Sequence, residues 1–179
     1  MKKSLLPILA LAFVSAMSSS VHAERVALQN QNYQPGRTQF LPYVYVNTVD
    51  ANYFQYSNAR FGMSSYVPSN FYLAYGPSNG DGARFADGLG GALTISGSHN
   101  SNHATVEASY AGAVNYYQPS YKALGDSWYV ISYERGGYIY YVKSFVNSQF
   151  IKTLQYKYPV SNRYHYEAYL PTIEGSFRP

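Results

Sequence analysis

The stretch GPSNGDGARFADGLGGALTISG, residues 76–97, sets Asn79, Asp81 and Asp87 among glycines. Such a composition either holds a cation or turns a chain. A calcium loop of EF-hand type needs converging oxygen ligands and a bidentate glutamate at its twelfth position. Counted from Asn79, the twelfth residue is Gly90. A phosphate cradle fails too, since no Gly-Lys-Ser/Thr follows and no helical pattern opens there. Turn chemistry explains the same residues without an ion. Asp-Gly supplies positive φ and a side chain that bonds its neighbouring backbone. The expectation is a strand, a turn at Asp87-Gly88, and a second strand.

His99 and His103 are four apart, which on a helix would put two imidazoles on one face, as a zinc pair requires. The intervening Asn100-Ser101-Asn102 reads instead as a loop or helix start, and no HExxH glutamate lies between them. His165 sits among aromatic residues and reads as a packed or surface side chain. Gly97-Ser98-His99 places a hydroxyl beside an imidazole, yet Ser98 does not stand in a Gly-x-Ser-x-Gly elbow and the chain has no Ser-x-x-Lys. The acids Glu107, Asp126, Glu134, Glu167 and Glu174 are scattered over separate elements. A glycosidase needs two of them about 5–9.5 Å apart, and chain spacing gathers none. The expectation is therefore no catalytic residue, no cofactor and no metal, with a cryptic hydrolase kept as an alternative.

Aromatic chemistry remains, because the chain has 22 tyrosines against one tryptophan. Tyr138, Tyr140 and Tyr141 share one strand-like segment with Arg135 and Lys143 close by. Together they make a candidate aromatic and basic binding surface, of the kind that stacks on bases or sugars. Tyrosine also suits half-buried strands, with an apolar body and a polar tip. That plainer reading makes it a sheet former.

The start of the chain bears on the choice of partner. Lys2 and Lys3 precede an apolar run from Leu5 to Met17, and Val21-His22-Ala23 supplies small residues where a signal peptidase reads. The expectation is a signal peptide over 1–23, cleavage after Ala23, and a periplasmic or secreted product. The remaining 11 basic and 9 acidic side chains are too balanced to argue for nucleic acid or an anionic lipid surface. Contact with peptidoglycan or another glycan suits the compartment better. With no cysteine, an exported chain is held by its core alone, and about 150 residues suffice for one.

The elements that must position these groups follow from hydrophobic period. Residues 24–51 read as a flexible, amide-rich leader, with LPYVYVNTV as a short strand that Pro42 confines to an edge. The folded domain is placed at 52–179. Phe61–Tyr66 reads as a strand stopped by Val67-Pro68, followed by extended pieces at Ala83–Ala86 and Ala92–Ser96. Val106, Tyr110, Ala113, Val114 and Tyr117 recur at helical spacing, and Pro119 ends that helix. A three-strand meander follows: from Trp128, through Gly136-Gly137 into Tyr138–Phe145, then 150–159. In the last strand Ile151, Thr153, Gln155 and Lys157 form the more polar face. The end reads as a helix capped by Ser161, with Pro171 either kinking or restarting it. The class is α+β, an antiparallel sheet of five to seven strands covered by two main helices.

The segments NARFGMSSYVPSNF, NGDGARFADGLGGALTISG, DSWYVISYERGGYIYYVK and IEGSFRP occur in an order that resembles uncharacterised exported bacterial proteins with a PsbP-like fold. The same fold is known in the lipoprotein DcrB and the nuclear import factor Mog. The resemblance aligns Asn58, Phe61, Gly62 and Pro68 with a first hairpin. It aligns Asn79, Gly80, Asp81, Gly82 and Phe85 with a second, Trp128 and Val130 with the central strand, and Ser176-Phe177 with the last helix. It implies a non-enzymatic accessory module that binds a protein of the cell envelope. Glycan binding through exposed tyrosines stands as the alternative. Gly-Leu-Gly-Gly after Asp87 and the tyrosine load depart from the family pattern.

Overall fold

The structure, a computed structural model, describes residues 44–76 and 79–179. The expected signal peptide and residues 24–43 of the expected leader lie outside the described residues. Among the described residues ten strands form two antiparallel sheets. A small sheet holds β1 (Val44–Thr48), β2 (Tyr53–Asn58) and β3 (Met63–Pro68) in sequence order. A larger sheet holds β4 (Tyr72–Tyr75), β5 (Gly82–Ala86), β6 (Ala92–His99), β7 (Tyr121–Leu124), β8 (Trp128–Arg135), β9 (Tyr138–Val146) and β10 (Phe150–Pro159). Its spatial order is β4-β5-β6-β10-β9-β8-β7, so the last strand pairs centrally and the two edges are β4 and β7. Helix α1 spans Val106–Tyr117, and the chain ends in α2 (Arg163–Glu167) and α3 (Leu170–Ser176). The class is the expected α+β fold.

Period-two alternation decides what each face of the large sheet meets. The inner face carries Leu73, Phe85, Leu93, Ile95, Leu154 and Tyr156, all buried. The small sheet covers it through Phe54 and Tyr56, whose rings meet Phe85 edge-on at 5.6 and 5.4 Å. Ile173 and Phe177 close the same core from α3 and its end. The outer face carries Ile131, Tyr133 and Val142 under Tyr110, Ala113, Val114 and Tyr117 of α1. The helical stripe read from sequence is thus the packed one. Thr105 caps the helix by accepting from Ala108 N, and Gln118 ends it with φ +49° just before Pro119.

Four local expectations are corrected. β3 starts at Met63 and runs through Val67-Pro68, because Phe61 and Gly62 are spent on the turn, where Gly62 takes φ +62°. Pro68 is the last strand residue, so its missing N–H interrupts nothing further on. The meander has four strands, since Tyr121–Leu124 adds β7 ahead of β8. The closing helix is three pieces: a 3-10 turn at Val160–Asn162, then α2 and α3. Ser161 sits inside that 3-10 turn and caps nothing. Pro171 falls in the first turn of α3, where a proline costs no hydrogen bond and its fixed φ already suits a helix. It restarts the helix. The strand expected within residues 41–49 is present as β1, which among the described residues is an edge strand paired only with β2.

Candidate functional site

The glycine-rich stretch is the two-strand turn. Asp87 Oδ1 accepts from the backbone N–H of Leu89 at 2.8 Å and of Gly91 at 2.9 Å, while Gly88 supplies φ +78°. The other carboxylate oxygen accepts from Tyr166 Oη of α2 at 2.6 Å, a long-range bond that the sequence did not reveal. Asp81 pairs with Arg60 at 3.0 Å, and Asn79 donates to Asp81. Asn58, buried under this corner, accepts from the N–H of Arg60 and Phe61 and donates to the Gly80 carbonyl at 2.9 Å. The two hairpins are thereby tied to each other. Among the described residues no group of three or more His, Cys, Asp or Glu could hold a metal.

Both histidines precede α1. His99 ends β6 and meets the rings of Phe61 and Phe150 at 5.8 and 5.3 Å. His103 lies in the loop with φ +51°, so no helix presents the two imidazoles together. Ser98 and His99 are consecutive in a strand and face opposite ways. His165, in α2, stacks edge-on against Tyr166 and Tyr169.

The five residues of the candidate aromatic surface divide between the two faces of β8 and β9. Arg135, Tyr138 and Tyr140 point to the α1 side, Tyr141 and Lys143 to the inner side, as the registers of Tyr133 with Tyr140 and of Ser132 with Tyr141 require. On the α1 side the rings already serve one another. Tyr117 stacks on Tyr133 at 4.5 Å and Tyr133 on Tyr140 at 5.0 Å. Arg135 lies 5.7 Å from the ring centres of Tyr116, Tyr117 and Tyr133. Lys157 Nζ sits 3.8 Å over Tyr138. On the inner side Lys143 donates to Glu174 of α3 and lies over Trp128 and Phe145. These cations fasten elements together instead of lining one continuous binding face.

A different place gathers unlike groups. A cleft of about 400 Å³ opens at the β7 end of the inner face, walled by Tyr121, Tyr141 and Tyr158 with Glu134 of β8, and by Arg163 and Glu167 of α2. Burial, reinforced by the charge of Glu174, holds the Tyr141 phenol well above its ordinary value. Burial and the neighbouring Glu167 push Tyr158 up to about 12. Both phenols are thus neutral hydrogen-bonding groups at physiological pH. Glu167 pairs with Arg163 at 2.9 Å. Glu134 is exposed and has no ion pair among the described residues. Strand alternation brings Glu134 here and the run into α2 brings Glu167. Their separation in sequence carried no signal of the meeting.

The solution structure of cyanobacterial PsbP (CyanoP) from Synechocystis sp. PCC 6803 superposes with a TM-score of 0.53 at 13% identity, covering 76% of this chain and 98% of that one. The fold is PsbP-like. No family model matches the chain, and no curated protein matches it in sequence.

Proposed function

We propose that this chain is a non-enzymatic accessory module of the cell envelope that acts by binding a protein partner. The observation that carries the reading is edge strand β7, where Tyr121 is 57% exposed beside the cleft and Leu124 is 44% exposed on the opposite face. Large apolar side chains exposed along a sheet edge are an invitation to association. The PsbP-like fold supports an accessory role, because that is what resemblance to the family implies. The placing of several charged side chains supports it too: Asp81, Asp87, Lys143, Lys157 and Glu174 each bind part of the scaffold. The location rests on the signal-peptide pattern of residues 1–23.

The test is affinity capture from a periplasmic extract with the tagged, processed chain. A stoichiometric protein partner is expected. It should be lost when Tyr121→Ser and Leu124→Ser are combined, with circular dichroism unchanged. Recovery of no such partner across several growth conditions overturns the proposal.

A further inference from the structure

Edge β7 and the cleft are parts of one surface, and their chemistry specifies what would sit there. The N–H of Gly125 donates to the Trp128 carbonyl at 2.8 Å, which makes that a hydrogen-bonded pair closing the β7–β8 hairpin. In an antiparallel ladder such pairs alternate with non-bonded ones. Given the register of Leu124 with Tyr129 and of Lys122 with Ile131, the main-chain groups of Lys122 and Leu124 point away from β8 to an edge that is open among the described residues. The side chains of Tyr121 and Ala123 turn to the inner face, where the cleft lies. A strand added here would hydrogen-bond to Lys122 and Leu124 and drop alternate side chains toward the cleft.

Charge then selects the side chain. Two carboxylates, Glu134 and Glu167, face one guanidinium, Arg163, which Glu167 already holds. Glu134 has no cation among the described residues. The exposed Tyr121 ring forms a wall whose face attracts a cation. Tyr141 and Tyr158 add neutral phenols. We infer that β7 accepts an extended segment of a protein partner by β-addition, with a lysine or arginine of that segment entering the cleft against Glu134 and Tyr121. The inference rests on the partner-binding reading above and names the chemistry of that partner. Lys122 on the same edge disfavours pairing of two copies of this chain, since two lysines would be brought together there.

Fluorescence anisotropy with a labelled, capped hexapeptide of alternating threonine and valine tests it, the central valine replaced by lysine in one version and by norleucine in another. The lysine peptide is expected to bind about tenfold more tightly than the norleucine one, a gap that narrows with added salt. Glu134→Gln should remove most of that gap. Lys122→Pro blocks only an outward N–H and should abolish binding of both peptides with the melting midpoint preserved. Equal affinity for the two peptides overturns the inference, as does binding that survives Lys122→Pro. So does a wild-type dimer that Lys122→Pro dissolves, or displacement of the peptide by peptidoglycan fragments. If neither peptide binds while affinity capture still yields its partner, the inference fails and the accessory reading stands.

Discussion

At the scale of single residues, Asp87 shows how much of this structure hangs on a side chain that first looks like a metal ligand. Its carboxylate is filled by two backbone N–H groups and by the Tyr166 hydroxyl, so it joins the β5–β6 turn to α2. Asp87→Ala strands the buried N–H of Gly91 and the Tyr166 hydroxyl together, and should lower stability by about 3 kcal/mol. Tyr166→Phe leaves the turn bonds intact and should cost about 1.5 kcal/mol. The two effects should couple in a double-mutant cycle read by urea unfolding, because the groups touch. Additive losses would show that the contact contributes nothing. The local half of this role was legible in sequence, since Asp-Gly before a β-rich run is turn chemistry. The Tyr166 bond was not, because nothing at residue 87 encodes which helix will arrive 79 positions later.

At the scale of elements, the period of apolar residues gave the strands and the α1 stripe, while the division into two sheets was hidden. Alternation fixes which side of a strand is buried, and says nothing of its lateral neighbour. Besides Phe54 and Tyr56 on Phe85, the turn between β2 and β3 seats Phe61 on Gly97 of the large sheet: a Cβ at Gly97 would lie 2.3 Å from the Phe61 ring. Gly97→Val should therefore cost about 3 kcal/mol through overpacking and appear as a lower urea midpoint with the slope preserved. A neutral result would mean that the sheets separate easily. Pro171 makes the contrasting case. In the first turn of α3 and exposed, Pro171→Ala should shift stability by less than about 1 kcal/mol. A proline inside one continuous helix would instead be relieved of about 3 kcal/mol. The same geometry explains why the cleft is not legible in the sequence: Glu134 lies on a strand and Glu167 on a helix, and only the fold brings them to one cleft.

At the scale of the whole molecule, the tyrosine load becomes a pH-dependent term in stability. Tyr56, Tyr133, Tyr158 and Tyr166 are each pushed from an ordinary 10.0 to about 12, in every case chiefly by burial. Tyr141 and Tyr156 are raised as well, again by burial first. Because the native phenols keep protons that the unfolded chain releases, unfolding liberates protons between pH 10 and 12, and stability falls as pH rises through that window. Below the ordinary value the contribution is fully present. Tyr56, Tyr156, Tyr158 and Tyr166 act in the same direction and sit in one connected core, so their losses fall on the single cooperative transition. The expected outcome is an urea midpoint that is flat up to about pH 9 and drops steeply by about pH 11. Tyrosinate absorbance from the buried rings should rise together with loss of near-ultraviolet circular dichroism. If those phenols ionise while the tertiary signal stays intact, the rings are open to water, and the tyrosine-packed core is not what holds the two sheets together.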